Sequence, residues 1–432
     1  MKPHIVLKLR EPLPGARGLP NWLDFIGDKS VVRETVTPDI DRLLAEAGLA
    51  VWVTTEYRPA RIDWTDAERR EGLNRTYRLI LQRDRALPGD LVGRIRLAPG
   101  VEQAQALAIG EADLPRPAVS HAASRRGPSA ADLIHLRYAH AITRGLPDVR
   151  IAVLDTGQSL DHPELRGKVV GGADFVDLAG LPTAGFIGDI TGYDDVPEDE
   201  VGHGTHVSGI IAGRGLEMDE GVAPGCSLLA VRVLATMKQG ARAVGAGIVD
   251  NINAGIKWAA DNGADIINMS LGIRHVGGGL PHEDVIRYAL SKGVTVVAAS
   301  GNDGTAERYY PGALPGVIAV GAVDQSGTVA PFTSYGAPIT VVAPGVDIYS
   351  AFARHTYATA SGTSQASPFV CGMVGLMASY ARQLGRRLTN GDVMHVLRHS
   401  SDKVDHRLRN EQAGYGLINM ADAFKLLAHE LA

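Results

Sequence analysis

Only two cysteines, Cys226 and Cys371, occur in 432 residues. That is too few for a disulfide framework, and both sit in apolar surroundings that suit inert, buried thiols. No run reaches the ~18 apolar residues needed to cross a membrane; the longest candidate, residues 369–381, contains Gly372, Gly375 and Ser379. The first ten residues carry a short apolar stretch cut by Lys8 and Arg10, unlike a secretory signal. These absences predict a cytoplasmic protein with no membrane partner, secretion being left open. Basic stripes are also missing and the net charge is −5, so a nucleic-acid partner is not expected. Histidine is plentiful at 14, yet His203 and His206 lack the His-Glu-x-x-His pattern of zinc proteases. His206 is read instead as packing beside its own helix. What is present is ordinary globular usage, 45% hydrophobic and 21% charged. The length suits two domains, one of them large.

Three blocks carry chemistry. Residues 151–157 read Ile-Ala-Val-Leu-Asp-Thr-Gly, residues 202–209 read Gly-His-Gly-Thr-His-Val-Ser-Gly, and residues 362–368 read Gly-Thr-Ser-Gln-Ala-Ser-Pro. They supply Asp155, His203 and Ser364 in that order. A serine hydroxyl is almost fully protonated at neutral pH and needs an adjacent base to attack a carbonyl. His203 titrates near working pH and can take and return that proton. Asp155 would accept a hydrogen bond from the other ring nitrogen, fixing the tautomer and stabilising the imidazolium. The three lie far apart in the chain, so only a fold can assemble them.

The order Asp, His, Ser differs from that of chymotrypsin-like and α/β-hydrolase enzymes. From about residue 132 to its end, the chain resembles the subtilisin-like serine proteases (subtilases, peptidase family S8). The resemblance implies a serine endopeptidase working through an acyl-enzyme on Ser364, with protein or peptide substrates. It implies that Asn302, after the strand-like run 294–299, donates its side-chain amide to the developing oxyanion. Such a donor is worth roughly 2.7–4 kcal/mol in subtilisin itself. Ser270, Leu271 and Gly272 resemble the family strand that pairs with an extended substrate, and Asp303 borders the pocket for the residue before the cut. Asp199 and Glu200 border the pocket for the residue before that one. Carboxylates at these places predict a preference for Lys or Arg. Two alternatives stay open: a peptide ligase or macrocyclase using the same acyl-enzyme, and a catalytically silent peptide-binding protein.

From residue 149 onward, strand and helix patterns alternate. Residues 149–154, 228–234, 265–271, 294–299, 317–323 and 340–343 are short, Val/Ile-rich and apolar on both faces, which suits a parallel sheet covered by helices. Helices are expected at 202–213, 243–263 and 364–383, with Pro368 tolerated in the first turn of the last. The fold class is therefore α/β, a subtilisin-like parallel sheet flanked by helices.

Residues 1–112 read as β-α-β-β-α-β: strand 4–9, helix 38–47, strand 49–57, strand 76–82, helix 88–97 and strand 101–107. This is a ferredoxin-like α+β pattern, similar to the propeptides that chaperone subtilisins and inhibit them with their C-terminal tail. Insertions at 11–37 and 65–75 interrupt the match, the second holding a Thr65…Glu68 capping box. The chain's own N-terminal domain is thus an expected intramolecular inhibitor, the alternative being an unrelated accessory module. Residues 113–131, rich in Pro, Ala and Ser and holding Arg125-Arg126, read as a linker open to a cut, and residues 132–432 as the catalytic domain. No cofactor is expected. Calcium stays open: many relatives bind it through a loop after the His helix and an acidic residue after the Asp motif. Here loop 213–221 is short, and Glu164 stands where an Asp is common. The acidic run Asp194, Asp195, Glu198, Asp199 and Glu200 reads as a solvated loop.

Overall fold

The computed structural model describes residues 3–24, 27–113, 129–178, 185–190, 193–239, 242–274 and 279–432. In Arg150–Asp155, Ile151 and Val153 enter one apolar core while Ala152 and Leu154 enter another. A strand apolar on both faces must be covered on both sides, and a parallel sheet between helix layers meets that need. Seven strands form this sheet, in the order Ile339–Pro344, Ile318–Val323, Thr295–Ala299, Ile266–Met269, Arg150–Asp155, Ser227–Arg232 and Val169–Asp174. Every neighbouring pair is parallel. Helices His203–Ala212, Thr363–Gln383, Asn390–Ser400 and Met420–Leu431 pack one face, and Val249–Asp261 and Glu283–Ser291 the other. This is the α/β arrangement expected from the pattern of apolar runs.

One expected helix begins late. Residues 243–248 are not helical; Arg242–Ile248 is a strand, antiparallel to Ala235–Gln239 on one side and Ile109–Asp113 on the other. Gly245 and Gly247 each disfavour helix by about 1 kcal/mol. At Gly247 a Cβ would lie 2.1 Å from the Val233 carbonyl oxygen, so the close strand approach excludes any larger residue.

The N-terminal residues form a four-stranded antiparallel sheet in the order Val51–Thr55, Thr76–Leu81, His4–Leu9, Val101–Ala106. Helices Pro38–Glu46 and Leu91–Arg96 pack onto it. The first is set up by Thr37, whose hydroxyl accepts from the Ile40 N–H, by Pro38 at its start and by Asp39 and Asp41 in its first turn. Alternation along His4–Leu9 decides the rest. Ile5, Leu7 and Leu9 enter the N-terminal core with Ile40, Leu79 and Ile95, while His4 and Lys8 face the large sheet's helices. His4 meets Asp250 at 2.9 Å and Lys8 meets Asp284 at 2.9 Å. The insertion helix Asp66–Glu71 carries its Thr65…Glu68 capping box and lies against Glu283–Ser291. Trp22, Trp64 and Leu73 join the core on that side. Most of the expected linker, with Arg125-Arg126, falls outside the described residues.

Candidate active site

Asp155 closes its strand at the carboxyl edge of the sheet, where open α/β sheets gather their ligand sites. His203 is the first residue of its helix, and Gly202 before it has φ 109, a conformation suited to glycine. A Cβ on Gly204 would lie 2.0 Å from the Gly157 carbonyl oxygen, so this glycine lets the helix press against the Asp155 turn. The result is a 2.6 Å contact between His203 Nδ1 and Asp155 Oδ1, with both side chains fully buried. The Thr156 N–H donates to the same Oδ1 at 2.7 Å. An Nδ1–H shared with a carboxylate leaves Nε2 as the basic nitrogen of a neutral ring.

Ser364 is the second residue of Thr363–Gln383 and is nearly buried. Ser270 clasps it twice. The Ser364 hydroxyl donates to the Ser270 carbonyl at 3.1 Å, and the Ser270 hydroxyl donates to the Ser364 carbonyl at 2.9 Å. The second bond has a cause in Pro368, which falls in the second turn of the helix and not in the expected first. Its missing N–H is the one that would serve the Ser364 carbonyl, and the Ser270 hydroxyl takes its place. Asn268 and Ser367 hold that hydroxyl at 3.0 Å each. The sequence reading gave Ser270 only a main-chain part; the Pro four residues after Ser364 was the available signal for more.

Asn302 follows the strand Thr295–Ala299. Its Oδ1 accepts from the Thr363 N–H at 2.8 Å and the Thr363 hydroxyl at 2.9 Å. With the oxygen so engaged, Nδ2 is the donor end directed away from Thr363. Leu271 is buried, and Gly272 packs on Tyr309, where a Cβ would stand 3.2 Å from the Tyr309 Cβ. The neighbouring Ile273–Arg274 pairs with Tyr309–Tyr310. Ile109–Asp113 lies beside Ile273–Arg274 while pairing in register with Arg242–Ile248, Gly247 opposite Gly110 and Val244 opposite Asp113.

Three carboxylates do not stand as expected. Asp199 is buried, not solvated: it accepts from the N–H groups of Val201, Gly202 and Thr205 and from the hydroxyls of Thr156 and Thr205. Burial pushes its pKa up against these bonds. It caps the His203 helix, whose own N-cap is a glycine, and has no oxygen to spare for a substrate. An Asp four residues before the helix start was the missed capping signal. Asp303 is paired with Arg274 and the Tyr309 hydroxyl, and the Tyr309 bond leads in holding its pKa low. The expected attraction for a basic substrate side chain is therefore neutralised within the protein. Glu200 turns to the Asp189 N–H at 2.7 Å.

His206 is buried, and burial pushes its pKa down to about 4, with the His203 charge adding to the effect. Its Nε2 faces the carbonyls of Ile348 and Ala358 at 3.1 Å each. Carbonyls only accept, so this nitrogen carries the proton and offers no lone pair. Cys226 and Cys371 are free and buried, and burial pushes both thiols up. Among the described residues no group of three or more His, Cys, Asp or Glu could hold a metal ion, and no helix is long and apolar enough to cross a membrane.

Comparison with known proteins identifies the family. Residues 147–416 match the Subtilase family, Peptidase S8. The chain is 40% identical over 288 residues to "Thermophilic serine proteinase" of Bacillus sp. (strain AK1), covering 66% of this chain and 64% of that protein. Thermitase of Thermoactinomyces vulgaris is 39% identical over 257 residues, 59% of this chain and 81% of thermitase. Subtilisin Savinase of Lederbergia lenta is 38% identical over 282 residues, 65% of this chain and 92% of that protein. The chain belongs to the subtilase family and is a subtilisin-like serine endopeptidase. The expected cytoplasmic location is corrected by the same comparison, because thermitase and Subtilisin Savinase are secreted, extracellular enzymes. The few cysteines and the short apolar stretch in the first ten residues, on which that expectation rested, do not outweigh this.

Proposed function

We propose that Ser364 is the nucleophile, His203 the general base and then acid, and Asp155 the residue that orients and stabilises the imidazolium. The observation that carries this reading is the buried 2.6 Å Asp155–His203 contact. Both side chains are fully buried, so the carboxylate acts on the ring at low local dielectric. The Ser364 proton, parked on the Ser270 carbonyl at rest, swings to His203 Nε2 as Oγ attacks a peptide carbonyl. The oxyanion then meets the Asn302 amide and the Ser364 N–H, which lies in a helical first turn where N–H groups lack helical partners. His203 returns the proton to the leaving amine. Water repeats the cycle on the acyl-enzyme. Residues 270–272 and Arg242–Ile248 hold the substrate as an added strand.

The N-terminal residues 1–112 act in this reading as a ferredoxin-like propeptide, joined by linker 113–131 to the catalytic domain 132–432. The pairing of Ile109–Asp113 with Arg242–Ile248 supports it, since the tail takes up main-chain groups that an extended substrate needs.

A fluorophosphonate probe tests both statements. The intact chain should label slowly at Ser364, and a chain cut in the linker and freed of its N-terminal part should label at least about tenfold faster. Absence of labelling in either form would overturn the assignment of the nucleophile. Equal rates would overturn the inhibitory role alone.

A further inference from the structure

The family resemblance offers Glu164 and loop 213–221 to calcium, and the donor chemistry at that place does not fit a cation. Glu164 is fully buried. Its Oε2 accepts from the N–H of Gly215 at 2.8 Å and of Leu216 at 3.2 Å. Its Oε1 accepts from Leu216 at 2.9 Å, from Glu217 at 2.8 Å and from the Tyr357 hydroxyl at 3.3 Å. Three successive N–H groups thus converge on one carboxylate, a concave anion nest. Calcium needs six to eight oxygens with lone pairs turned inward. Here the lone pairs are filled, and the loop aims the positive ends of its peptide dipoles at the centre. A cation at that centre would be repelled.

The rest of the loop is fastened in the same way. The Arg214 N–H donates to the Glu164 carbonyl at 3.1 Å, and the Gly221 N–H to the Gly213 carbonyl at 2.9 Å. Met218 Sδ accepts from the Ala351 N–H at 3.2 Å, and Glu220 pairs with Arg144. Glutamate is one methylene longer than aspartate, and that reach carries the carboxylate into the nest. The loop starts where the His203 helix stops, with the Gly213 N–H on the Gly209 carbonyl at 2.8 Å. Whatever fixes the loop therefore also fixes the far end of the helix that carries the base.

We propose that Glu164 and loop 213–221 form a metal-free clamp, in which a buried carboxylate held by backbone N–H groups does the fastening that a calcium ion would otherwise do. The test compares thermal unfolding of the full chain carrying Ser364→Ala, which prevents self-digestion, with the same chain also carrying Glu164→Gln. Each is measured in millimolar calcium chloride and in excess chelator. Charge-assisted bonds are lost in Glu164→Gln, so its melting temperature should fall by at least about 4 °C. Any difference between calcium and chelator should be the same in both chains. A calcium-induced rise that vanishes in Glu164→Gln would overturn the clamp, as would an unchanged melting temperature. Should Glu164→Gln not fold, hydrogen exchange on the Ser364→Ala chain decides. The amides of residues 215–217 should be equally protected in calcium and chelator; protection that appears only with calcium would sink the proposal.

Discussion

The two sheets bury polar groups in contrasting ways. The N-terminal sheet turns its charged residues toward its neighbour and matches each one. Arg78 makes two 2.7 Å bonds to Glu56 and lies 3.7 Å over the Trp22 ring, while Lys257 sits 2.7 Å from Glu68. The large sheet gathers its polar groups at the carboxyl ends of its strands, where Asp155, His203 and Ser364 are each held by few bonds. Fully matched charges fix a geometry and leave little reactivity. In the proposed mechanism it is the sparingly held groups that react, and the surrounding matrix of Asp199, Ser270 and Thr363 bonds keeps them in place.

Removing a group of the reactive kind should have the larger effect. Ser364→Ala should lower peptide hydrolysis roughly a million-fold, the scale known for subtilisin, with the melting temperature little changed. Turnover close to that of the parent chain would erase the contrast. Next comes the seam: Lys257→Met leaves Glu68 buried beside an apolar side chain, a loss of about 3–5 kcal/mol. The intact chain should then label much faster with the fluorophosphonate probe, and an unchanged rate would mean the seam charges are idle. Asn302→Ala should reduce kcat about a hundredfold to a thousandfold with KM nearly unchanged. A rise in KM alone would make Asn302 a ground-state contact.

The smallest effect concerns acidity. His282 borders a cavity of about 30 Å³ at the seam, lined also by Val6, Lys8, Tyr57, Glu283 and Asp284. Its Nδ1 meets Asn253 Oδ1 at 2.6 Å, and burial pushes its pKa down to about 4 while Asp250 opposes the shift. A histidine depressed below its ordinary ~6.5 stabilises the closed seam fully above that pH, and the contribution is lost as pH falls toward 4. Association of the two parts in a linker-cut Ser364→Ala chain should weaken on the order of tenfold between pH 7 and 5. His282→Gln should flatten that profile, and an identical slope in both chains would assign it to other groups.

Much of this was legible in the sequence because the relevant signals are local. Buried strands read as apolar runs, and Asp155, His203, Ser364 and Asn302 stand in blocks whose neighbours are glycines and small residues that close packing needs. What escaped depends on partners distant in sequence. Arg242–Ile248 has the content of either helix or strand, and its pairing with Ala235–Gln239 on one side and residues 109–113 on the other decides. The burial of Asp199 and the pairing of Asp303 with Arg274 belong to the fold, so acidic residues that look solvated in one dimension prove spoken for in three. The Ser270 hydroxyl was missed because its task arises from a vacancy left by Pro368.

If residues 1–112 act as the proposed propeptide, the strand Ile109–Asp113 has a second task in the precursor. It forms the outer edge of a sheet whose next strand is Arg242–Ile248. Without it, that strand presents an open row of N–H and C=O groups, the kind of edge along which separate chains join and precipitate. On the proposed reading the tail would also guard against self-association. A chain that loses it too early should be limited by solubility before it is limited by activity.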